Sequence, residues 1–250
     1  MKRIITIAVA VVGLCLASAA SAQTAASFLV PNPETAKWSY IQTDAEGNHV
    51  KTQYHSAVKF SGNADNGSMR VRIEEVDTSS PADTVESFIF YRIKDGEFMV
   101  DLNAMFEEDF MADIAKDIAD KSSELSEEDM EKAMDMMRSE FEVSGEIRGI
   151  PRNPEVGKLP KYECKFKVSF FNIKIVCDDR MIVGKEKLVT DAGTFDCFIL
   201  EETMTTKIML AKEVEKVKTW YAYGIGMVKE VTYDKKGNVV STLTLNSINW

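Results

Sequence analysis

The chain has 250 residues, with 30 basic against 40 acidic side chains and a formal net charge of −10. No basic stripe is evident to offset that balance, so the surface is expected to repel nucleic acid and anionic membranes. Only two histidines, His49 and His55, are present, which leaves little material for a Ser/His or Cys/His dyad.

Lys2 and Arg3, the apolar run from Ile4 to Leu16, and Ala20-Ser21-Ala22 are the three parts of a cleavable signal peptide. The run is shorter than the roughly 20 residues of a membrane span. Cleavage is expected after Ala22, giving a periplasmic or secreted protein. Cys15 would be the site of a lipid anchor, but Leu14 stands where that processing takes a small side chain. Losing Lys2 and Arg3 leaves 28 basic and 40 acidic side chains, a net charge of −12 on 228 residues. Residues 23–37, with Pro31 and Pro33, read as an extended leader. Residues 38–250 read as a single β-rich domain with a helical insertion over 103–142.

From Trp38 the pattern is that of strands. Ala45-Glu46-Gly47-Asn48 is a turn signal, and Val50 to Phe60 is a strand. Residues 62–67 form another turn, and Met69 to Glu74 alternates apolar and charged residues at the period of a strand with one wet face. Val85 to Ile93 and Glu97 to Leu102, joined by Asp95-Gly96, predict a hairpin. Residues 103–142 then contain neither Gly nor Pro. Phe106, Phe110, Ile114 and Ile118 recur at four; Met130, Met134, Met137 and Phe141 recur at four, three and four. Two amphipathic helices are predicted, the second capped by Ser126. Glu107 to Glu142 holds 14 acids and 4 bases, −10 of the mature charge.

Beyond a Gly/Pro-rich connector (Gly145 to Pro160), strands resume. Tyr162 to Phe170 alternates, with a phase slip at Phe170-Phe171 that implies a bulge or turn. Met181 to Leu188, Phe195 to Met204, Ile208 to Val217, Thr219 to Ala222, Met227 to Tyr233 and Val239 to Ile248 follow. No internal repeat is evident. The fold class is mainly β (α+β): a curved antiparallel sheet or half-open β-barrel of about ten to twelve strands, with the two-helix insertion on its concave face.

Gly157-Lys158-Leu159-Pro160, Val189 to Phe198 (VTDAGTFDCF) and Thr219 to Lys229 (TWYAYGIGMVK) resemble a family of secreted bacterial proteins. The family is common in gut Bacteroidetes and known only as a domain of unknown function. It is grouped by fold with the LolA/LolB lipoprotein carriers, whose half-open barrel holds acyl chains against a helical lid. The resemblance covers about Gly157 to Ile248 and implies a fold; it supplies no catalytic or binding residue.

No catalytic residue, cofactor or metal site is expected. The 12-residue calcium loop is absent, and Met130, Met134, Met136 and Met137 have the spacing of packing as much as of a copper site. Of Cys164, Cys177 and Cys197, the first two are the pair for a disulfide, three reduced cysteines being the alternative. If the insertion is a lid, Phe106, Phe110, Ile114, Met130, Met134 and Met137 form one wall of an apolar pocket. Phe166, Val168, Phe170, Phe195, Trp220 and Tyr221 form the other, and the alternative is a filled core. Three functions follow: a non-enzymatic carrier of an acyl chain or lipid-like ligand; an envelope interaction module with a filled core and an envelope protein as partner; and, remotely, a carboxylate-dependent hydrolase. Neither nucleic acid nor stable membrane insertion is expected.

Overall fold

The computed structural model describes residues 35–63, 65–81, 84–95, 97–106, 141–168, 171–208 and 211–249. Fourteen strands occupy them: β1 (Lys37–Thr43), β2 (His49–Gly62), β3 (Gly67–Asp77), β4 (Thr84–Lys94), β5 (Glu97–Val100), β6 (Glu142–Gly145), β7 (Ile147–Arg148), β8 (Gly157–Lys158), β9 (Tyr162–Val168), β10 (Phe171–Thr190), β11 (Gly193–Ile208), β12 (Ala211–Ala222), β13 (Gly226–Tyr233) and β14 (Val239–Asn249). Thirteen lie on one hydrogen-bonded path, β6-β9-β10-β11-β12-β13-β14-β1-β2-β3-β4-β5-β7, and β8 pairs with β10.

The two ends of that path are consecutive in sequence. Glu142–Gly145 pairs with β9, Ile147 and Arg148 pair with β5, and Glu146 alone lies between them. One short stretch therefore bonds to both edges of the sheet, bending it into a nearly closed barrel and covering edges that would otherwise be open to pairing. Gly145 permits the junction. Its φ is +83°, and a Cβ there would stand 2.0 Å from the carbonyl oxygen of Glu163. Glu146 N then donates to Glu163 O (3.2 Å) and Gly149 N to Phe98 O (2.9 Å), fastening the stretch to each side.

The mainly-β expectation holds, with more strands than the ten to twelve expected. β6, β7 and β8 are four, two and two residues long and fall in the supposed helix end and connector; they are too short to show alternation. β9 and β10 form a hairpin that pairs Val168 with Phe171, at the predicted phase slip. β12 runs unbroken through Lys218, where two strands were expected. Of the predicted insertion, Asn103–Phe106 is a 3-10 turn and Glu142 begins a strand; residues 107–140 lie outside the described residues.

Alternating strand direction gives the barrel two rims. Strand ends Gly62, Lys94, Thr190 and Ala222 lie at the first; Thr43, Val168, Ile208 and Tyr233 lie at the second. Two of the turns share one motif, Asp-x-x-Gly-Asn. Asp44 Oδ1 accepts from Glu46 N (3.0 Å) and Asn48 N (2.8 Å), and Asp234 Oδ1 accepts from Lys236 N (2.7 Å) and Asn238 N (2.9 Å). Each hairpin then bulges at the second residue after its Asn, Val50 and Val240. Both flank the β14–β1 pairing, so the motif caps neighbouring hairpins on one rim.

The largest apolar cluster packs Trp38, Leu200, Tyr221, Val228 and Leu245. A second gathers Phe90, Ile147, Tyr162, Cys164, Phe166 and Ile173, and a third Val71, Ile73, Ile89, Ile93 and Phe98.

Candidate functional site

Cross-strand partners share a face of a sheet, and the register identifies what the barrel turns inward. Arg180 opposes Glu202, which opposes Val217; Leu200 opposes Thr219, which opposes Glu230 and then Leu243. Arg180 and Glu202 are 3% and 7% exposed, and the guanidinium Nε donates to Glu202 Oε1. Its other nitrogens donate to the carbonyls of Pro160 (3.1 Å), Arg148 (3.2 Å) and Gly149 (3.0 Å). The ring of Tyr162 lies 4.9 Å from the guanidinium carbon. Arg180 thus ties the closing stretch and the β8–β9 connection to β10.

Glu230 is 6% exposed and has one long hydrogen bond, from Thr219 Oγ1 at 3.4 Å. Burial, reinforced by the charge of Glu202, pushes its carboxyl up to about 8. Burial also raises Glu202, against the opposing pull of Arg180. Tyr40 donates to the Met227 carbonyl (3.0 Å), and burial lifts its hydroxyl and that of Tyr221 well above the usual tyrosine range. Two carboxyls with raised pKa meet one requirement of carboxylate chemistry, and Glu202 is held by Arg180 and Cys177 Sγ (3.7 Å).

Cys164 and Cys177 lie on adjacent strands as buried free thiols. Cys164 opposes Ile175 while Cys177 opposes Tyr162, so the two are diagonal neighbours rather than a facing pair. Burial pushes the thiols up, Cys164 to about 11 and Cys197 to about 12, which leaves them poor nucleophiles. His49 is exposed against Thr52 Oγ1 (2.9 Å), and His55 bonds Gln53 Oε1 (3.0 Å) and tilts against Tyr40. Among the described residues no group of three or more His, Cys, Asp or Glu could hold a metal ion.

The residues expected to wall an apolar pocket separate. Phe110, Ile114, Met130, Met134, Met137 and Phe170 lie outside the described residues, and Phe106 is described only as the end of its 3-10 turn. Phe166 is buried in the second cluster, whereas Phe195, Trp220 and Tyr221 belong to the first. Trp220 and Tyr221 are consecutive in a strand and point to opposite faces. Tyr221 faces the interior with Thr219, and Trp220 Nε1 donates to Glu186 on the other side, between Lys218 and Lys229.

The sequence reading found no basic stripe, and the register overturns that. On the outer face Lys165 opposes Lys174, Lys174 opposes Lys207, and Lys207 opposes Lys212. Four lysines form one rung across β9, β10, β11 and β12, about 4.8 Å apart and so spanning about 14 Å. Lys174 and Lys165 both reach Glu163 (2.7 and 2.9 Å) and hold its carboxyl down at about 2. No ion pair among the described residues engages Lys207 or Lys212. Three of the four lysines, with Lys167, its ion-pair partner Glu142 (3.8 Å), Ser144 and Asn172, line a groove of about 480 Å³ near the second rim. A second groove, about 330 Å³, has Asp179, Glu201, Lys216 and Lys218 on its outer face.

Two solved structures share the fold. The first, described as an exported protein with YmcC-like fold from Bacteroides fragilis NCTC 9343, has a TM-score of 0.60 and 18% identity over 90% of this chain and 100% of its own. The second, described as a lipoprotein from Parabacteroides distasonis ATCC 8503, has a TM-score of 0.59 and 17% identity over 91% of this chain and 100% of its own. No curated protein matches the sequence. A family model covers residues 34–245, extending the resemblance seen from Gly157 onward to nearly the whole barrel: the chain belongs to the DUF3108-like family.

Proposed function

We propose that this is an exported envelope protein without catalytic activity, whose barrel interior is structural and whose outer surface is the working part. The observation that carries the reading is the commitment of Arg180, Glu202 and Tyr40 inside the barrel. Arg180 is spent on Glu202 and three carbonyls, and Tyr40 on a fourth. The signal-peptide pattern and the solved structures described as exported or lipoprotein support the location. Carriage of an apolar ligand is the second reading. It is favoured by Phe166, Phe141 and Val143 packing together where β6 begins.

Native mass spectrometry of the mature protein purified from a bacterial envelope, after a high-salt wash, separates the two. The surface reading expects an empty protein that also ignores added fatty acids. A stoichiometric apolar molecule retained through the wash and released only by solvent would overturn it in favour of the carrier.

A further inference from the structure

We infer that the lysine rung on β9–β12 docks the protein on an anionic phospholipid surface, through electrostatic contact and without insertion. The inference rests on the outer-surface reading and names its partner. Like charges directly opposed across strands are unfavourable; the barrel has them singly at Lys59–Arg70 and at Glu74–Glu86, where Arg72 bridges the acids, and elsewhere on β10–β12 it pairs unlike charges. Lys187 opposes Asp196 on β10–β11, and Glu201 opposes Lys218 on β11–β12. Lys165, Lys174, Lys207 and Lys212 break that rule on three consecutive pairings in a chain of net charge −10. Departures from local consistency are expected where function is placed.

Lysines that guard against edge-to-edge pairing belong on edge strands, but β10, β11 and β12 lie inside the sheet. The residue type narrows the partner. The chain has arginines available, yet all four positions carry Lys, a compact hydrated charge on a flexible stem that makes no bidentate fork. Such a row suits a diffuse layer of anionic head groups better than one phosphate held in fixed geometry. Lys207 and Lys212 are exposed and Lys174 half-buried, so the stems can lie along the sheet and present their ammonium groups outward.

The test is co-sedimentation of the full mature chain with vesicles of equal parts phosphatidylcholine and phosphatidylglycerol, against phosphatidylcholine alone. Binding is expected only to the first, and is expected to be lost on raising the salt. At about fivefold per lysine, the Lys207→Glu/Lys212→Glu variant should bind at least 25-fold more weakly. A Lys94→Glu/Lys187→Glu variant, with the same change of charge at the first rim, should bind nearly as the parent does. Matched thermal unfolding of both variants guards against misfolding.

Equal loss in both variants, or no binding to anionic vesicles, overturns the inference. So does binding that appears only once the acids between 107 and 140 are neutralised, which would assign the rung to that segment. None of these outcomes touches the filled-interior reading, which fails instead on a salt-resistant apolar ligand.

Discussion

Replacing Arg180 by methionine tests whether the buried network holds the barrel closed. The substitution keeps an unbranched side chain and removes every donor. Glu202 loses its cationic partner inside the barrel, and the carbonyls of Pro160, Arg148 and Gly149 lose a donor. Removing one member of a buried ion pair costs about 3–5 kcal/mol, a large part of the roughly 5–15 kcal/mol that stabilises a whole protein. With a urea m-value of about 2.5 kcal/mol per molar, a loss of about 4 kcal/mol lowers the unfolding midpoint by about 1.6 M. Tryptophan fluorescence in urea at pH 7 reads this directly. The paired variant Arg180→Met/Glu202→Leu should recover most of the loss, because an apolar pair of similar volume removes the stranded charge. The deficit of the single variant should also shrink in acid, where Glu202 takes up a proton. A single variant within about 1 kcal/mol of the parent, less than a third of the expected cost, would refute the reasoning.

Glu230→Gln should flatten the pH dependence of stability. With a folded pKa of about 8 against an ordinary 4.5, Glu230 contributes fully below about pH 4.5, and the contribution is lost as the pH rises to 8. The slope is at most about 1.4 kcal/mol per pH unit. The variant is therefore more stable than the parent at pH 8 and close to it at pH 4.5, as urea titrations at the two pH values would read. Gly145→Ala forces a Cβ against Glu163 O and an unfavourable φ; it should cost at least about 2 kcal/mol and speed hydrogen exchange at Glu146 N and Gly149 N. All three mature cysteines should resist a thiol reagent in the native state and react once the chain is denatured; a single reacting thiol would mean that Cys164 and Cys177 are bridged. Asp44→Ala and Asp234→Ala should each lower the urea midpoint, since each carboxylate bonds two backbone amides of its turn.

What a sequence reveals about a barrel is what lies within single strands. The alternation of Met69 to Glu74 and Tyr162 to Phe166, and the turns at Asp44 and Asp234, are local patterns, and each marks a real strand or hairpin. Closure is different in kind. β6 and β7 together hold six residues, and their meaning depends on which strands receive them, β9 on one side and β5 on the other. Arg180 follows Asp178 and Asp179 in sequence, with nothing local to mark it as buried. A bulge between Cys177 and Asp179 resets the alternation and turns Arg180 inward toward Glu202. The lysine rung is hidden for the same reason. Lys165, Lys174, Lys207 and Lys212 fall in four strands, and only the pairing register puts them in a row.

Net charge and local charge act over different distances, so the two readings of this surface are compatible. At physiological ionic strength the screening length is about 8 Å. An approaching anionic surface first meets the averaged field of a chain with net charge −10, which is repulsive and favours no face. Within a screening length the average no longer matters, and the orientation that brings Lys207 and Lys212 forward is the one that attracts. Acids at the opposite end of the sheet, near its first rim, such as Asp196, then penalise approaches by that side. A protein that carried the same lysines on a neutral body would bind more tightly but in many orientations. Here the overall acidity helps to make one face of the barrel the face that docks.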